Sequence, residues 1–209
     1  MIVRHVIEHS YDLSAFISSI KALVKPGGYI VWEVPDCEKA LEKGDCTTIW
    51  EEHTFYFTSF TFKKLLQDSG FSLVHFEIID YPMENSIIAI IKNENYSNQY
   101  VLNEKISISK EIDRADKFAK SILERKKLII SQLQKLRKKK GLIALFGAGH
   151  LSVAFLSIME VEDMIDFVID DNPHKSGMKM PIGQLEIVMQ ISMELKTLIM
   201  DQIISLSRN

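Results

Sequence analysis

The sequence predicts an α/β protein made of two successive units, and three observations carry that expectation. Strand, helix and strand patterns follow one another from the first residue to Asp36. Two further apolar runs with a turn between them then close the first unit. A glycine turn between a strand and a helix, with another strand behind it, opens a second unit after residue 140.

Residues 1–6, MIVRHV, read as the end of a strand with no polar lead-in, so the chain is expected to begin partway through a sheet. The next stretch is helical: Asp12 caps the first turn, and Leu13, Phe16, Ile17, Ile20, Leu23 and Val24 repeat at helical spacing to make one apolar face. Pro26 disfavours helical geometry at Lys25, and Gly27-Gly28 permit a tight reversal into YIVWEVP, a buried strand by its β-branched and aromatic content. A strand, crossover helix and strand imply parallel pairing, and place Glu8, His9, Glu33 and Asp36 near the carboxyl ends of the strands, where open α/β sheets bind ligands.

SFTFKKLLQDSGF reads as a short helix capped by Thr58 or Ser59, burying Phe62, Leu65 and Leu66 and ending at Gly70. Residues 71–79 and 86–91, separated by Pro82 and Asn85, read as an antiparallel hairpin. From residue 104 to 140 an interrupted stripe of Ile112, Ala115, Ala119, Ile122, Ile129, Leu133 and Leu136 predicts one long helix, or two in line, ending in the cations RKKK that suit a helix C-terminus. LIALFGAGH and IDFVIDDNP then give strand, glycine turn, helix and strand.

Composition excludes several classes. A length of 209 residues at 46% hydrophobic content supports a sizeable core. A formal charge of -3 with interspersed signs offers no broad basic face for nucleic acid. Cys37 and Cys46 lack zinc or disulfide-framework spacing, so no metal is expected and a reducing cytoplasm is. No apolar run approaches the roughly 20 residues that span a bilayer.

The residues RHVIEH (4–9), LVKPGGYIVWEVPD (23–36), EEHTFYFT (51–58) and LLQDSGF (65–71), in this order, resemble the second half of a class I S-adenosylmethionine-dependent methyltransferase. The Glu-His-x-x-Tyr-Phe element with a second Rossmann-like unit behind it is similar to the C-methyltransferases that act on nucleotide-linked deoxysugars. The resemblance implies a partial Rossmann-like methyltransferase sheet over 1–95, a connecting helix over 96–140 and a small Rossmann-like α/β domain over 141–209, whose tail from Met189 to Asn209 has no clear counterpart in the family and is expected to be altered or cut. It further implies S-adenosyl-L-methionine as cofactor and a small-molecule acceptor, a nucleotide-sugar. The glycine-rich loop and acidic residue that grip the donor in that family have no counterpart ahead of RHVIEH. The chain is therefore expected to be a fragment inactive alone. A non-catalytic module that binds a nucleotide or nucleotide-sugar is the alternative.

C-methylation removes a proton from a carbon beside a carbonyl, and imidazole can accept it at neutral pH. By the resemblance His53 is that base or a substrate-orienting group, Glu52 its partner and Tyr56 a hydrogen-bonding residue. The residues alone also admit a loop whose Phe55, Phe57 and Phe60 enter the core while Glu51, Glu52 and His53 face water. For Glu8 and His9 a capping role and a role in holding the cofactor both stand open. His5 and Trp32 read as packing residues, and His75 as an exposed hairpin residue. In the second unit Gly147 and Gly149 let the chain approach an anion at a helix amino end, with Asp170 at the distance of a dinucleotide fingerprint, although Ser152 stands where its third glycine belongs. The resemblance assigns Gly147, Gly149, Asp170 and Asp171 to nucleotide-sugar binding. His150 either contacts a substrate phosphate or simply starts the helix.

Overall fold

A computed structural model describes residues 1–49, 52–82, 84–94 and 104–189. Trp50 and Glu51, and the tail after Met189 expected to lack a counterpart, lie outside the described residues. The chain divides into two compact units, Met1–Ile122 and Leu123–Asn209, with the boundary inside a long helix.

In the first unit β1 (Ile2–Arg4), α1 (Leu13–Leu23) and β2 (Tyr29–Asp36) form the expected crossover, with β1 and β2 parallel. Asp12 caps α1 by accepting from the Ala15 N–H at 2.9 Å. Its buried face is narrower than the apolar spacing suggests: Ile17 and Ile20 are buried, whereas Leu23 is 71% exposed because it lies at the solvent edge of the last turn. Gly27 turns the chain at φ 73°, a conformation that favours glycine.

After α2 (Glu38–Lys43) and α3 (Ser59–Asp68) come β3 (Ser72–Ile79) and β4 (Asn85–Lys92). Thr58 and Thr61 cap α3 reciprocally, each side chain reaching the other's backbone N–H. The sheet order is β1-β2-β4-β3: the second strand of the hairpin inserts beside β2 and runs antiparallel to it, so the sheet is mixed rather than purely parallel. This register pairs Ile30 with Ile91, Trp32 with Ala89 and Val34 with Ile87, all six fully buried. Trp32 centres that core, its ring 6.0 to 6.2 Å from those of Phe16, Phe62 and Phe71.

A single helix, α4 (Glu104–Lys140), carries the predicted stripe, but only Ile129 and Leu133 of it are buried; Ile112, Ala115 and Ala119 face solvent. Arg137, in the basic run at its end, donates to Asp166 Oδ2 at 2.9 Å and to the Met164 carbonyl at 3.1 Å. That is a structural tie. The second unit continues with β5 (Ala144–Phe146), α5 (His150–Met159), β6 (Phe167–Asp170) and β7 (Ile187–Met189), in a parallel sheet of that order over Leu156, Met159, Val168 and Ile169. No described helix is long and apolar enough to cross a membrane.

Candidate functional site

The carboxyl end of β1 leads into a single 3-10 turn, Ile7–His9, through His5 in left-handed geometry at φ 48°. Histidine is among the residues that tolerate this region. The turn buries Glu8 to 1% exposure and leaves its backbone carbonyl pointing at the segment before α3. That carbonyl accepts from the N–H groups of Thr54 at 2.8 Å and Phe55 at 3.2 Å, while the Thr54 hydroxyl donates to the carbonyls of Glu8 and Ser10. Farther along, the Cys37 N–H donates to the Phe57 carbonyl at 2.9 Å. These bonds clamp the loop onto the strand ends and hold His53 over the turn.

Four chemistry-bearing side chains meet there. The rings of His9 and His53 lie edge to face with centroids 4.7 Å apart. Glu8 Oε1 lies 3.4 Å from His5 Nδ1 and 4.0 Å from His9 Nε2. Neither oxygen of Glu8 makes a hydrogen bond among the described residues. His9 Nδ1 sits 3.1 Å from the Glu52 carbonyl, which can only accept, so the proton is assigned to Nδ1 and the lone pair of Nε2 faces Glu8. Glu8, His9 and His53 each bring one ligand-type atom within 4.8 Å of the others, close enough for the three to converge on one ion after a modest side-chain shift.

Electrostatics set the state of His53. Burial, followed by the neighbouring His9 ring, lowers its pKa from the ordinary value, against the opposing pull of Glu8 and, more weakly, Glu52. The balance favours the uncharged ring at neutral pH. Glu52, its neighbour in sequence, has an exposed side chain and enters the site through its carbonyl. Tyr56 is half-buried with its ring 6.0 Å from that of His53. It also lines an open groove of about 310 Å³ with Leu13, Phe55, Phe57 and Lys64, none of which is a member of the histidine cluster.

His5 was expected to pack, yet it belongs to the cluster. Its Nε2 donates to Glu33 Oε1 at 3.2 Å, and Glu33 also accepts from Arg4 at 2.6 Å. Burial opposes ionisation of Glu33, but these two donors outweigh it and hold its pKa below the usual carboxylate range. Nothing in the sequence spacing singles out His5; only the left-handed turn aims it. Behind the cluster, burial raises the carboxyl pKa values of Asp36 and Glu84 and pushes the Cys37 thiol up to about 12, which leaves that sulfur inert. Trp32 packs in the core as expected, and His75 is exposed beside Glu77.

The residues picked out in the second unit gather at the carboxyl ends of β5 and β6. Gly147, at φ 95°, donates its N–H to the Ile169 carbonyl, and Gly149 precedes α5 without a side-chain cap. His150 is the first residue of that helix. Asp170 is fully engaged: Oδ2 accepts from the Ala148 N–H at 2.7 Å and from Lys175 Nζ at 3.0 Å, and Oδ1 accepts from the Asn172 N–H at 2.8 Å. The two backbone donors and then Lys175 lower its pKa. Asp171 beside it is exposed. Lys175 also donates to the Ala148 carbonyl, and so ties the glycine turn to the loop after β6.

Comparison with known families gives two matches. Residues 1–76 match the family described as a methyltransferase domain. Residues 91–198, just over half of the chain, match the family described as the C-methyltransferase C-terminal domain. No curated protein matches the chain.

Proposed function

The chain belongs to the C-methyltransferase family, and from that premise we propose that its first unit handles the acceptor and the proton in C-methylation of a nucleotide-linked sugar. Methyltransferases of this type use S-adenosyl-L-methionine, which supplies the methyl group when bound. The single observation that carries the reading is His53 held by backbone hydrogen bonds over a buried carboxylate at the ends of two parallel strands, where burial favours its uncharged form.

In this reading His53 takes the proton from the carbon beside a sugar carbonyl. The C–H bond breaks, its electron pair moves toward the carbonyl oxygen as an enolate, and the proton resides on the imidazole. Glu52 and Tyr56 flank the base, Tyr56 as a hydrogen-bonding group to substrate. Glu8 and His9 would hold the methyl-bearing end of the donor, since a buried carboxylate complements a sulfonium cation. The adenosine end is served less well. Gly27, Gly28, Gly44 and Gly70 of this unit lead into strands or end helices, so no described glycine turn follows the carboxyl end of β1 or β2. In the second unit Gly147, Gly149 and His150 with Asp170, Asp171 and Lys175 would carry the nucleotide.

Proton abstraction can be tested without the methyl donor. In deuterium oxide, wild-type chain should exchange the hydrogen α to the carbonyl of a nucleotide-linked keto-sugar, followed by proton NMR. Calorimetry should report binding of the same compound. Binding without exchange would favour the second reading, a nucleotide-sugar binding module, for which the uncapped amino end of α5 beside Lys175 is the specific support. Absence of both binding and exchange would overturn the nucleotide-sugar assignment.

A further inference from the structure

We propose that Glu8, His9 and His53 form a site for a divalent first-row transition metal of the zinc type, and that occupation of this site switches the base off. Three observations carry the proposal. Glu8 is 1% exposed and both of its oxygens lack a hydrogen bond among the described residues, although burying an ionised carboxylate is costly unless something cationic meets it. Across from it, His9 Nε2 presents a lone pair, because Nδ1 donates to the Glu52 carbonyl. An imidazole whose outer N–H is held by a backbone carbonyl is the usual arrangement of a histidine ligand. Third, the gap between Glu8 Oε1 and His9 Nε2 is 4.0 Å, too long for a hydrogen bond. A metal at about 2.0–2.2 Å from each atom fills such a gap after a shift of well under 1 Å.

His53 supplies the third ligand atom, within 4.8 Å of the other two. Two imidazoles and one carboxylate suit zinc and its neighbours and leave a coordination position for water or substrate. The same set suits magnesium or calcium poorly, since those ions prefer oxygen ligands. Sequence spacing hides the site, because Glu8 and His9 lie on one turn and His53 arrives from a distant loop through the bonds of Thr54 and Phe55 to Glu8.

The blocking effect rests on the reading of His53 as the base, because a ring nitrogen bound to metal cannot also accept a proton. Metal binding itself does not depend on that reading. The test is titration of the chelator-treated full chain with cobalt, a spectroscopic stand-in for zinc. One cobalt per chain should bind with visible d–d bands, and zinc should displace it. Glu8→Gln and His53→Asn should each weaken binding by at least about 100-fold, the upper end of what loss of a supporting outer-shell group costs. His75→Asn, on the exposed hairpin, should leave it unchanged. His53 is only half-buried on a loop, so His53→Asn keeps the test valid if Glu8→Gln fails to fold. Cobalt binding that is absent, or that survives both cluster variants, overturns the site. Zinc should also stop the α-hydrogen exchange. Exchange that continues at saturating zinc overturns the blocking, whereas no exchange even in chelator with cobalt binding intact counts against the base reading and leaves the metal site supported.

Discussion

Glu8 and Asp170 both stand at the carboxyl end of a strand in a parallel pair, one in each unit, and the structure treats them in opposite ways. Asp170 has three donors on its two oxygens and ties a glycine turn to the loop beyond β6. Glu8 is more deeply buried, has no hydrogen bond to either oxygen among the described residues, and faces three imidazoles. A satisfied carboxylate is architecture, because removing it strands its donors. A buried carboxylate without hydrogen bonds is costly to keep and calls for a partner, for which the proposed metal or a sulfonium is suited. On the proposed function, the difference assigns the chemistry to the first unit and the scaffold of a ligand loop to the second.

The largest effect expected from this contrast is on the base. His53→Ala should reduce α-hydrogen exchange by about a hundred- to ten-thousand-fold, the range general-base catalysis supplies. The companion change Asp170→Ala, in the proposed nucleotide loop, should raise the concentration of sugar nucleotide needed for half-maximal exchange but leave the rate at saturation near the wild-type value, measured by the same NMR experiment. A saturating rate that dropped equally in both variants would erase the division of labour.

Next in size is the structural loss at Asp170. With its carboxylate gone, the Ala148 and Asn172 N–H groups and the Lys175 ammonium lose their common acceptor, and stability should fall by about 1–3 kcal/mol. Urea unfolding of the second unit reports it. The sign with pH follows from the depressed carboxyl pKa. The stabilisation is fully present above the unfolded value of about 3.9 and disappears as pH falls through the lower folded value. Wild type and Asp170→Ala should therefore converge in stability only under strongly acidic conditions.

How much of this could be read before the fold was known differs between the two units. Helix α1 was legible because its cap, Asp12, and its stop, Pro26, are local, and the hairpin because Pro82 and Asn85 interrupt two apolar runs. The insertion of β4 between β2 and β3 was not, since strand order depends on which faces meet and not on the runs themselves. In the second unit Gly147 and Asp170 announce their turn by spacing, though not that Lys175 would close it. The first-unit cluster was half legible. Glu8, His9 and His53 each stood out by residue type, but their meeting depends on two backbone N–H groups that any residue could supply, and His5 joins through a positive φ that no side chain encodes.

A smaller effect concerns the pH dependence of exchange. The base acts when unprotonated, so the rate rises with pH through the His53 pKa and then levels. Burial and the His9 ring hold that pKa below the ordinary value of about 6.5, so the half-maximal rate should fall on the acid side of it and the profile should be flat through neutrality. His9→Asn removes the second cause and should move the midpoint upward, toward the ordinary value. A wild-type midpoint above 6.5, as for an imidazole paired with a dominant carboxylate, would mean that Glu8 rather than burial governs the ring.

The smallest change expected is the one that separates the two carboxylates most sharply. If Glu8 were half of a satisfied buried ion pair with His5 or His9, its removal would cost about 3–5 kcal/mol, because the partner charge would be stranded. The distances argue otherwise: 3.4 and 4.0 Å, with no hydrogen bond to either oxygen among the described residues. Glu8→Gln keeps the shape, removes a buried carboxyl that lacks hydrogen bonds among the described residues, and leaves the backbone carbonyl that anchors Thr54 and Phe55 in place. In chelator the urea midpoint of the variant should therefore match wild type or exceed it, whereas added zinc should stabilise wild type alone. A loss of stability in chelator as large as that of Asp170→Ala would make Glu8 another architectural carboxylate and remove the reason to look for a cation beside it.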